Sequence, residues 1–111
     1  MPSDDVVIVL TTFPADGDAE AFARTLVEEG LAACVNVLPA MTSIYRWKGA
    51  IETAGERQLI VKTAAATVDR LQSRLKELHP YDLPEMLVLR VLDGSPDYLS
   101  WLLAETRPVN T

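Results

Sequence analysis

A chain of 111 residues with 49% hydrophobic and 23% charged residues can bury a core of its own, and it reads as one domain over residues 1–111. Its net charge of −6 argues against a nucleic-acid partner, which would want clustered Lys and Arg, and no apolar run approaches the ~20 residues needed to span a bilayer. The start, MPSDDVVIVL, carries acids where a secretory signal needs bases, and the single Cys34 has no partner for an internal disulfide, so a reducing cytoplasm is expected.

Val6 to Thr12 (VVIVLTT) is a short β-branched run of the kind that fills a buried central strand. Asp16-Gly17-Asp18 offers N-cap chemistry to a helix striped by Ala19, Phe22, Ala23, Leu26 and Val27, and Gly30 stops it just beyond the C-cap. Ala33 to Trp47 has no helical period and reads as one extended strand, interrupted only at Pro39. At ~3.3 Å per residue it reaches about 50 Å, whereas a compact domain of this length is only roughly 35 Å across. Its tip, with Tyr45 and Trp47, is therefore expected to pack on another molecule.

Lys48-Gly49 turns the chain into a second strand, Ala50 to Thr63, with a polar break at Thr53–Glu56 and an apolar run from Leu59 to Val61. A helix follows from about Ala64 or Val68 to Leu78, striped by Val68, Leu71, Leu75 and Leu78, and Pro80 ends it. Met86 to Leu92 (MLVLRVL) reads as another buried strand. Ser95-Pro96-Asp97 then opens a last helix, with Tyr98, Leu99, Leu102 and Leu103 turned inward. The order β-α-β-β-α-β predicts an α+β ferredoxin-like split β-α-β sandwich: a four-stranded antiparallel sheet with both crossover helices on one side, a long β2–β3 hairpin and an added C-terminal helix.

Five blocks, in order, resemble the CutA divalent-cation tolerance proteins: LVEEGLAACVN at 26–36, TSIYRWKG at 42–49, LIVKT at 59–63, LHPYDLPE at 78–85 and PDYLSWL at 96–102. The resemblance runs from Val6 to about Thr106 and implies a homotrimer whose long hairpins wrap across subunit boundaries, which would answer the overlong strand. It also implies a role in tolerance of copper and other divalent cations, with copper binding attributed to some members, and no catalytic reaction. Animal relatives have been linked to anchoring acetylcholinesterase, but no signal or lipid anchor supports that role here. Copper-binding relatives carry a first-strand cysteine where this chain has Thr11, and some carry a second histidine where it has Leu78; both departures predict modest affinity.

Each candidate ligand has two readings. Cys34, flanked by Ala33 and Val35, suits a packed core or interface position as well as a thiolate for Cu(I). His79, the only histidine, can cap the helix end before Pro80 or bind copper through its imidazole. Glu85 is either a solvated loop carboxylate or a ligand reaching back toward His79. There is no CxxC, HxxxH or HExxH, so a site would be sparse and completed by carboxylates, water or a neighbouring subunit. Tyr45, Trp47, Lys62, Tyr81 and Glu85, with Tyr98 and Trp101, form either a subunit interface or a crevice for a small anion or metabolite. No nucleophile is paired with a base, and no nucleotide motif is present, so no enzyme and no organic cofactor are expected. Beside the metal-responsive trimer stand two alternatives, a small-ligand sensor built like the trimeric PII proteins and a trimeric adaptor that binds other proteins without metal.

Overall fold

In the computed structural model, which describes residues 5–106, the chain runs β1 (Val6–Pro14), α1 (Ala19–Glu28), β2 (Cys34–Trp47), β3 (Ala50–Ala64), α2 (Val68–Leu78), β4 (Leu87–Arg90) and α3 (Pro96–Glu105). The strands form one antiparallel sheet in the order β2-β3-β1-β4, the expected ferredoxin-like arrangement, and a short 3₁₀ turn at Ala65–Thr67 leads into α2.

Local chemistry sets the element ends. Asp18 Oδ1 accepts the Ala21 N–H at 3.0 Å and starts α1. Gly30, at φ 71°, stops it by letting its own N–H reach Val27 O while the Leu31 N–H reaches Leu26 O. Lys48 and Gly49 both adopt positive φ (49° and 83°), the mirror-image turn whose twist matches the strands it joins.

Alternation along the strands divides the sheet. Val7 and Val9 of β1 and Leu59 and Val61 of β3 share one face and pack with Phe22, Leu26, Leu71 and Leu75 of the two helices in a single buried cluster. Ile8, Leu10 and Ile60 point to the opposite face, where they are half-buried. α3 packs on β3 and β1 with Leu102 buried, and Thr67 Oγ1 donates to Thr106 O at 3.3 Å to hold its last turn.

Several expectations change. β3 is continuous through Thr53–Glu56, because each of those residues has a cross-strand partner in β2 whatever the polarity of its side chain. The irregularity lies in β2 instead, where the register shifts between Val37 and Ala40 around Pro39, and Arg57 Nε donates to the Leu38 carbonyl at 2.8 Å. β4 spans only Leu87–Arg90 and its residues are exposed within the chain, since it is an edge strand that pairs with β1 alone. Tyr98 is likewise turned outward rather than inward, and Val27 is largely exposed at the end of α1.

The hairpin outruns the sheet. β1 accompanies β3 only as far as Pro14↔Glu56, so Thr42–Trp47 and Ala50–Gly55 continue as a bare two-stranded ribbon. The long axis of the chain is 44 Å, beyond the roughly 35 Å expected of a compact domain of this length. On the ribbon Ile44 is 71% and Ile51 62% exposed.

Candidate functional site

Where the ribbon leaves the sheet, the loop after α2 folds back against it and closes one side of a cleft of about 860 Å³. Its walls come from β2 and β3 (Tyr45, Trp47, Glu52, Glu56, Gln58) and from the loop (Tyr81, Asp82, Glu85). Met41↔Glu56 and Tyr45↔Glu52 are cross-strand pairs, which puts the aromatic and acidic side chains of the hairpin on the same face.

His79 anchors the loop. Its Nε2 lies 2.6 Å from Thr12 O, and its Nδ1 accepts the Tyr81 N–H at 3.1 Å. A carbonyl only accepts and an amide N–H only donates, so these partners assign the neutral tautomer with the proton on Nε2. The ring is 7% exposed and edge-on to Phe13 and Phe22, with centroids 5.2 and 5.8 Å away. The side chain therefore reaches across to β1, beyond the last β1–β4 pair at Leu10↔Leu87, while the helix end is closed by the backbone bond from His79 N–H to Leu75 O. Gln58 Nε2 makes a second tie, donating to Thr11 O at 2.7 Å and to Glu85 Oε2 at 3.1 Å.

Glu56 is the most deeply set carboxylate of the cleft at 8% exposure. Loss of water and then the Glu56 carboxylate, with smaller contributions from Tyr45 and Asp16, push the Tyr81 phenol up to about 12. The phenol thus stays neutral well above neutrality. One face of Trp47 already carries a cation, with Lys48 Nζ 5.8 Å from the ring centroid.

The expected residues fall into three places. Tyr45, Trp47, Tyr81 and Glu85 line the cleft, and His79 stands behind its loop. Cys34 opens β2 opposite Lys62, half-buried and free. Gln58, the partner of Glu85, lies farther along β3 from that pair by about 13 Å at the strand rise. Tyr98 and Trp101 stack on each other on α3, their centroids 5.4 Å apart. Among the described residues no three His, Cys, Asp or Glu side chains gather as a metal-holding group. Glu52, Glu56, Gln58 and Asp82 were not among the residues picked from sequence; the alternation Glu52-Ala54-Glu56-Gln58 was the available signal, hidden by taking that stretch as a break in the strand.

Residues 7–105 match the family model described as CutA1 divalent ion tolerance protein. The divalent-cation tolerance protein CutA of Thermus thermophilus is 46% identical over 99 residues, covering 89% of this chain and 96% of its own. The crystal structure of CutA from Xylella fastidiosa superposes with a TM-score of 0.88 at 47% identity, over 93% of this chain and 99% of that one. A structure described as the PII-like protein CutA from Nostoc, in apo form, gives a TM-score of 0.86 at 38% identity, over 93% of this chain and 99% of its own.

Proposed function

Because the chain belongs to the CutA1 divalent ion tolerance family, we propose that it works in the cytoplasm, as a single-domain homotrimeric module, in the response to divalent cations, with the cleft at the hairpin base as its cation-receiving surface. The observation that carries this reading is the lining of the cleft: Glu52, Glu56, Asp82 and Glu85 contribute carboxylates and no Lys or Arg side chain does. An anion would be repelled there and a cation drawn in. The trimer is supported by the ribbon, since a two-stranded hairpin with exposed Ile44 and Ile51 is marginal until another surface covers it.

Copper is the finer part of the proposal, and the ligands expected for it divide. Glu85 lines the cleft, Cys34 lies elsewhere on the sheet, and His79 has both ring nitrogens engaged. A metal at Nδ1 displaces the Tyr81 N–H, so copper at His79 requires the loop to open. The cleft itself offers oxygen donors, which favour harder ions over copper. The three expected ligands therefore do not fit a preformed copper site within one chain. A second reading, a small-ligand sensor, is favoured by the size of the cleft, which falls in the range of small-molecule sites.

Calorimetric titration of EDTA-treated protein with Cu²⁺, Zn²⁺ and Ni²⁺ tests the reading, with mass measured by light scattering. Saturable binding that weakens in Glu56→Gln supports the cleft. Loss of Cu²⁺ binding in His79→Ala, with the trimer intact, moves copper to the imidazole. No saturable binding of any ion removes metal from the function and leaves the ligand-sensor and adaptor readings.

A further inference from the structure

We draw no further inference here: the strongest candidate, the exposed apolar edge strand β4 with Leu87, Val88 and Leu89, carries nothing beyond the subunit contact already proposed, because nothing in the structure shows what else covers it.

Discussion

The near and far halves of the β2–β3 hairpin are made of the same two strands and carry comparable apolar side chains, yet only the near half is covered from within the chain. Leu59 and Val61 are completely buried beneath α1 and α2, with Val35 and Val37 packed beside them. Ile44 and Ile51, farther out, stand largely in solvent. A strand's composition therefore says that a surface will be covered and leaves open which molecule covers it. The near half follows the rules of a core, and the far half follows those of an interface.

The comparison breaks first in the core. Leu71→Ala should cost about 2–5 kcal/mol, because the side chain is fully buried among β1, β3 and the helices and leaves a cavity; chemical denaturation measures it. Trp47→Ala should cost about 2 kcal/mol of assembly energy and leave the chain's own core intact. Light scattering on dilution would then show subunits separating earlier than in Glu52→Ala, and a parent protein that is monomeric at micromolar concentration would remove the interface account of the far half. The melting temperature of the parent should also rise with protein concentration.

A smaller effect runs in the opposite direction. Thr11 is wholly buried on the helix-facing side of β1, and its hydroxyl has no hydrogen-bond partner. Thr11→Val should stabilise the protein by about 1 kcal/mol, since it removes an unpaired polar atom at nearly constant volume. A further effect is confined to the alkaline limb. Folding raises the Tyr81 pKa to about 12, so the folded state holds a proton that the unfolded chain has begun to release near pH 10. The stabilisation is complete below about pH 10 and is lost as pH rises towards 12. Tyr81→Phe should flatten that part of the stability curve; an unchanged slope would mean that another group controls it.

The frame of the fold was legible because its punctuation is local. Asp18, Gly30, Lys48-Gly49 and Ser95-Pro96 act through bonds or dihedrals within a few residues, and each does in the structure what its type predicts. What escaped depends on distant partners. Met86–Leu92 looked buried because it is apolar, but burial needs a neighbour on each side, and β4 has β1 alone. His79 was legible as a special residue and not as a tie to Thr12, since nothing in the sequence links positions 79 and 12. The cleft was half visible: its aromatic members and Glu85 stand out in the sequence, whereas Glu56 lies in a polar stretch that reads as an interruption of the strand and Glu52 and Asp82 carry no local signal.

The irregularity at Pro39 has a consequence for how this hairpin tolerates change. Before it, Val35 and Val37 of β2 share a face with Val61 and Leu59; after it, Met41 and Tyr45 share one with Glu56 and Glu52. Odd-numbered positions thus change sides of the sheet midway along the strand, as though the pleat had skipped a beat. Deleting one residue there would restore a regular ladder and leave Tyr45 opposite Glu52 and Trp47 opposite Ala50, on the face they already share with Glu56. An insertion or deletion of two residues in each strand of the ribbon would lengthen or shorten it while keeping the phase. The length of this hairpin is thus free to drift in steps of two residues per strand, whereas the loss of one cross-strand pair between Glu56 and the tip would turn the aromatic wall away from its acid.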